Sequence, residues 1–313
     1  MATIVNKTKC TEEQIHLGIS TCSPKFNYLR GIFIGSNSAI KIPNASLVDT
    51  ETALEYLRGV TLDAVPSNRL LFIPFADATD TTKAPEIKSY NRGTKNGVIE
   101  YPFSAEAMYT NNGIWYNREL RKLNKLNGLV CFYLDEAFIG GNLKADGLYP
   151  IPCDFYANLP KNGDGASNLT EHKVSLSFKN IEDFPRMDCI ELDGFAVEDY
   201  FQNIIGVSLT ATGGAGIITL SILESANNSN LVETRPTAVV QTGCYDIKLS
   251  DGSSATIEGV TIAGGNVVIA VTETGAMTVK LKAPLLLEAL TVPFGGNGGA
   301  CYESDTVTAT VTA

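Results

Sequence analysis

Residue types able to do chemistry are sparse in this chain, and their spacing fits few reactions. Asp77, Asp80 and Glu86 form a carboxylate cluster that could bind Ca²⁺. A calcium site needs several oxygens from one loop in a defined register, and this spacing matches none, so solvated loop residues are the better reading. Asp135 and Glu136 follow an apolar run and are of the type used in glycoside hydrolysis. Neighbouring side chains on extended backbone point to opposite faces, which favours a turn over a catalytic pair.

His16 and His172 are the chain's 2 histidines, beside 7 cysteines. A nucleophile needs a base held in turn by an acid. Neither histidine lies in a nucleophile motif, and a structural role is favoured for both. The run Gly295-Gly296-Asn297-Gly298-Gly299 lacks the Gly-Lys-Ser/Thr ending of a phosphate-binding loop and reads as a turn. Arg118, Arg121, Lys122 and Lys125 lie opposite Leu120 and Leu123 on an expected helix, which suits a solvated or inter-subunit face. No residue is therefore assigned to catalysis, to a cofactor or to a metal, and no enzymatic activity is expected.

The segments that would have to position such residues change character after Asn203. Before it the chain is varied and carries Trp115 and both histidines. From Ile204 to Ala313 it is built mostly from Gly, Thr, Val, Ala, Ile, Ser and Leu. The 313 residues suggest about two domains. A 44% hydrophobic content is enough to fill their cores. The formal net charge of −10 divides evenly at Asn203. A uniform acidic balance argues against wrapping nucleic acid, which needs Lys and Arg against the phosphates. It is compatible with a surface that DNA passes without sticking.

The cysteines at 10, 22, 131, 153, 189, 244 and 301 include no CxxC pair, so zinc is not expected. Cys131 and Cys189 lie in apolar runs and should be buried free thiols, which fits folding in a reducing cytoplasm. The N-terminus shows no signal-peptide pattern, and no apolar run is long enough to span a membrane.

Residues 1–25 read as an arm, 26–203 as a β-rich body and 204–313 as a β-sandwich. In the body, Gly31 to Gly35 is an apolar strand. Asp49 to Arg58 is a helix capped by Asp49 or Thr50. Arg69 to Phe75 is a buried strand, and Ala76 to Pro85 a polar loop. Asn117 to Asn127 is the clearest helix, with Asn117 as cap and Gly128 as stop. Leu129 to Leu134 is the most apolar strand. His172, Val174, Leu176 and Phe178 alternate with polar residues as a half-buried strand should. Residues 180–203 are expected to form an acidic connector with some helical character.

In the tail, strands are expected over 206–211, 217–223, 238–240, 244–249, 255–262, 266–272, 277–283 and 306–311. Turn signals separate them, and the spacing is that of an immunoglobulin-like sandwich without the Cys…Trp…Cys core of antibody domains.

The order of the segments ADATDTTKAP, GVIEYPFSAEAMY, NRELRKLNKLNG, LVCFYLDE, FIGG and EHKVSLSF resembles that of tailed-phage virion proteins. It is similar in particular to major tail (tail tube) proteins of phages infecting Bacteroidetes. The resemblance implies a β-sandwich or barrel body with a flanking helix, hexameric rings stacked into a tube, and DNA passing the lumen without specific binding. It implies other tail proteins as partners, the virion tail as location after synthesis in the host cytoplasm, and the C-terminal module as an outward decoration. A head-decoration, neck or adhesin component, or a glycan-binding surface protein, is the alternative.

Overall fold

The computed structural model describes residues 29–63, 65–89, 96–109, 114–135, 138–159, 172–192, 201, 204–282 and 301–313. The expected arm at 1–25, with His16, lies outside the described residues, as do Glu136 and the glycine run at 295–299. The chain is mainly β and divides into two compact units, Met1–Glu198 and Asp199–Ala313.

The first unit contains β1 (Gly31–Gly35), β2 (Ile42–Pro43), α1 (Thr50–Thr61), β3 (Leu71–Asp80), β4 (Glu86–Ser89), β5 (Asn96–Ile99) and β6 (Ser104–Tyr109). It continues with α2 (Ile114–Leu120), β7 (Val130–Leu134), β8 (Phe138–Lys144), β9 (Gly147–Tyr149), β10 (Ile151–Ala157), β11 (Lys173–Phe178) and β12 (Asp188–Glu191). Strands β1, β3, β6, β11, β10 and β7 pair in that order, and β7 pairs back onto β1. Every pairing in this ring is antiparallel, so the six strands form a closed barrel. Closure leaves these strands no unpaired edge.

Alternation fills the interior. Residues Ile32 and Ile34 of β1, Cys131 and Tyr133 of β7, and Val174, Leu176 and Phe178 of β11 belong to one buried core. Small residues sit beside large ones: Ala105 is opposite Leu176 and Ala107 opposite Val174. That matching of sizes is how a narrow barrel packs without voids. Each large side chain buried here contributes about 1.5–3 kcal/mol.

Strand β1 is buried on both faces. Its outward Phe33 packs on Phe72 of β3, with ring centroids 5.0 Å apart. Outside the barrel, β8 carries the sheet on through β9 to β2, and β12 pairs with β8. Strand β8 comes so close that a Cβ at Gly141 would lie 2.5 Å from the Tyr149 carbonyl oxygen and 3.1 Å from the Phe132 ring. Helix α1 starts where Asp49 accepts from the Thr52 amide at 2.7 Å, and it runs past the expected end at Arg58 to Thr61. Its Thr50 hydroxyl donates to the Glu191 carbonyl of β12 at 2.8 Å.

Three expectations for this unit need correction. Residues 76–80 are not loop but the second half of β3, which a bulge between Phe75 and Asp77 carries onward along β6. Their polarity marks an exposed barrel wall, not a break in the strand. Helix α2 begins at Ile114, so Asn117 lies inside the helix and is not its cap. The helix stops at Leu120 and a 3-10 turn follows at Leu123–Lys125, so the expected helix over 117–127 is one broken turn earlier and shorter. The acidic connector holds a strand, β12, at Asp188–Glu191.

The second unit contains β13 (Ile204–Gly213), β14 (Ile217–Glu224), the helical turns α3 (Leu231–Thr234) and α4 (Pro236–Val239), and then β15 (Tyr245–Leu249) and β16 (Ile257–Ala263). It ends with β17 (Asn266–Val271), β18 (Gly275–Leu281), β19 (Cys301–Ser304) and β20 (Val307–Val311). One sheet has the order β16-β17-β14-β13-β19 and the other β15-β18-β20. Inward residues of both, among them Ile218, Leu220, Ile269, Ile247 and Val279, belong to one core, so the unit is a two-layer sandwich. The expected strand over 238–240 is instead the turn α4, because Pro236 at its first position presets a helical φ. Tyr245 anchors that turn by donating its buried hydroxyl to the Val239 carbonyl at 2.6 Å. Strand β19 was not expected; it pairs parallel to β13.

Among the described residues no helix is long and apolar enough to cross a membrane.

Candidate functional site

Two surfaces of the barrel gather polar residues. The first is the barrel end where β6 finishes and α2 begins. Asparagine side chains bond the backbone at the end of β10 here. Asn117 donates from its side-chain amide to the Tyr109 hydroxyl at 2.8 Å and to the Asn158 carbonyl at 3.0 Å. Asn124, on the 3-10 turn, donates to the Ala157 carbonyl at 3.0 Å and accepts from the Ala157 amide at 2.8 Å. These amides latch the helical segment onto the barrel rim, while Leu120 and Leu123 are buried beneath it.

His172 is buried beside this latch, its ring 5.5 Å from that of Tyr109. Among the described residues its buried Nδ1 has no hydrogen-bond partner. Burial pushes the Tyr109 and Tyr116 phenols above their ordinary range, which keeps both neutral. The arrangement ties the helical segment to the barrel end.

The second surface is the outer wall of β3, β6, β11 and β10. Cross-strand pairing sets its rows: Thr79, Glu106, Ser175 and Tyr156 form one, and Ser104, Ser177 and Asp154 another. Asp77 and Met108 begin a third that continues to Lys173. Tyr156 is 53% exposed, which marks this wall as open. Its carboxylates Asp77, Glu106 and Asp154 share the wall with Lys173 and Lys179, and Lys179 pairs with Asp154 at 3.4 Å. The hydroxyls of Thr79, Ser104, Ser175, Ser177 and Tyr156 share this wall with the charged groups.

The structure separates the remaining candidates. Asp77 and Asp80 lie on β3, whereas Glu86 opens the separate β4–β5 hairpin and accepts from the Tyr101 hydroxyl at 2.8 Å. Among the described residues no group of acids, cysteines or histidines could hold a metal ion. Asp135 is buried, and its amide donates to the Phe138 carbonyl at 2.8 Å. Arg118, Arg121, Lys122 and Lys125 are all exposed, with Arg118 and Lys122 both paired to Glu119. Leu126, at the expected end of the apolar stripe, is exposed as well.

Reasoning from the sequence missed the asparagine latch. Its signal was the pair of asparagines at 117 and 124, whose amide-to-backbone bonding makes sense only once the barrel is closed.

No protein-family model matches this chain, and no curated protein matches its sequence.

Proposed function

We propose that this chain is a self-assembling structural protein of a tailed-phage virion, a tail-tube subunit, and not an enzyme. The observation that carries the reading is the closed six-stranded antiparallel barrel with one latched flanking helix and an open, hydroxyl-rich outer wall. Copies of the chain form stacked, hexameric rings, other tail proteins join the ends, and DNA passes without specific binding. A wall with Asp77, Glu106 and Asp154 against Lys173 and Lys179 suits that passage, because it neither grips phosphates nor repels them strongly.

The second unit is an immunoglobulin-like decoration in this reading. With β13 to β18 taken as strands A to F and β20 as G, its sheets have the orders DEBA and CFG, the arrangement of constant-type immunoglobulin domains. Strand β19 is an addition between F and G.

A fold hosts many functions, so the reading rests on assembly. Negative-stain images of the purified protein should show sixfold rings or tubes. A persistent monomer that binds polysaccharide would overturn it. A chain ending at residue 203 should still form rings; loss of rings on that truncation would contradict the decorative role of the second unit.

A further inference from the structure

Among the described residues the sandwich closes its sheet edges one after another and leaves one without a partner strand. Strand β15 is capped by the segment leading to β16: the Ala255 amide donates to the Ile247 carbonyl and the Leu249 amide to the Ser253 carbonyl, each at 2.9 Å. Strand β20 is bridged to the end of β13, where the Gly216 amide donates to the Thr312 carbonyl and the Thr312 amide to the Gly214 carbonyl, each at 3.0 Å. Strand β19 is tied to β18, because Ser304 Oγ accepts from the Leu281 amide at 2.9 Å. Among the described residues β16 has a ladder to β17 only.

The open edge is protected over half its length. A bulge between Ile257 and Gly259, with Glu258 inside it, blocks the first half. The second half, Val260-Thr261-Ile262-Ala263, has no charge, no proline and no bulge, and Ile262 is 39% exposed.

We propose that this half-strand is an interaction surface, and that its occupant is the same half-strand of a second copy of the chain. Register and charge select that occupant. The turn Gly264–Gly265 has positive φ at both residues, 58° and 75°, which makes Ala263 and Asn266 the closing hydrogen-bonded pair. Alternation then turns the backbone groups of Thr261 toward β17 and those of Val260 and Ile262 outward. An antiparallel, two-fold pairing centred on Thr261 sets Val260 against Ile262 of the second copy, so both outward residues find ladder partners. It brings together β-branched side chains, a favourable cross-strand match. Glu258 then falls opposite Gly264. A register centred on the first half would oppose Glu258 to itself, so charge and bulge together leave this one pairing.

At its centre the two Thr261 residues form a non-hydrogen-bonded pair, the closest approach in an antiparallel ladder. Thr261→Cys in the full-length chain therefore joins two copies through a disulfide when oxidised glutathione is the oxidant, and the covalent dimer dominates a non-reducing gel. Ser253→Cys and the parent chain, oxidised in the same way, stay at background. Adding Val260→Pro to Thr261→Cys removes an outward amide, leaves the β17 ladder, and lowers the dimer yield at least tenfold while the chain still melts cooperatively. Thr261→Cys cross-linking at the level of Ser253→Cys, or unchanged by Val260→Pro, overturns the proposal. So does a 1:1 complex of β16 with an extended peptide that excludes the second copy. The reading as a tube subunit is judged separately, by the images, since cross-linking is scored whether or not rings form.

Discussion

Asn117 donates to the Tyr109 hydroxyl at 2.8 Å across the mouth of the barrel, from a helix to a strand. The same amide reaches the Asn158 carbonyl at 3.0 Å, so one side chain joins α2, β6 and the end of β10. Replacing it by Ala removes both bonds and leaves buried groups unsatisfied. The expected cost is about 2–3 kcal/mol. Tyr109→Phe keeps the ring and should cost about 1–2 kcal/mol. Urea unfolding should show the first unit's transition at lower denaturant in both variants. An unchanged midpoint for Asn117→Ala would show that the latch does not hold the rim.

Gly213 tests the sandwich. A Cβ there would lie 1.8 Å from the Thr310 carbonyl oxygen, which no side-chain rotation can relieve because the obstacle is backbone. Gly213→Ala should destabilise the second unit by about 3 kcal/mol or more. Gly259→Ala, where a Cβ meets nothing within 4 Å, is the control and should change stability by less than about 0.5 kcal/mol. Calorimetry of the two variants gives the comparison, and equal melting temperatures would contradict the close approach.

Buried thiols give a pH-dependent readout. Burial pushes the Cys189 thiol up to about 12 and the Cys244 thiol up to about 11. A hydrogen bond with Cys153, then burial, raises Cys131. These groups are protonated in the fold and ionise near 9 once unfolded. Their contribution to stability is therefore complete below pH 9, and Cys244's is lost as pH rises from 9 to 11. Iodoacetamide at pH 8 should leave Cys131, Cys153, Cys189 and Cys244 unmodified in the folded chain and label all of them in denaturant. Peptide mass mapping reads the result, and rapid labelling of the folded chain would mean that these cores open.

The ion pair of Lys41 with Asp146 joins β2 to the β8–β9 turn, and Lys144 lies over the Tyr149 ring at 4.2 Å. Hydrogen bonds from Lys41 and then Tyr149 hold the Asp146 carboxyl below its usual value, while Asp146 raises Lys41. Asp146 therefore stabilises the fold above the unfolded carboxyl's pKa of 3.8, and the effect disappears as pH falls through the depressed native value. The melting difference between the parent and Asp146→Asn should be small near neutrality, smaller still in 1 M salt, and absent at the acid end. A difference that grows on acidification would contradict this assignment.

The two units have separate cores, so residues 199–313 produced alone should fold and melt in one cooperative transition. A fragment that stays unfolded, by circular dichroism, would mean that the sandwich depends on the rest of the chain.

Much of the β character was legible in the sequence because local rules impose it. Val174, Leu176 and Phe178 alternate because successive strand residues face opposite sides. Asp49 caps α1 because its short carboxylate reaches the Thr52 amide. Gly264–Gly265 forms a hairpin turn because only glycine takes positive φ twice without strain. The same rules misread residues 76–80. There polar side chains mark the wet wall of a barrel, a distinction that depends on which strand lies next door. Asn117 was misjudged for the same reason: its partners come from segments distant in sequence.

Strand period, turn positions and the even charge balance thus follow from the amino-acid order by itself, since each depends on a few neighbouring residues. Barrel closure was decided only in three dimensions. Gly31 pairs with Pro74 on one side and Leu134 on the other, and nothing near Gly31 in the chain names either partner. Ladder hydrogen bonds are alike for every residue. Partner choice falls to the fit of the enclosed side chains, Ala105 beside Leu176 and Ala107 beside Val174, which exists only after the sheet has curved round to meet itself.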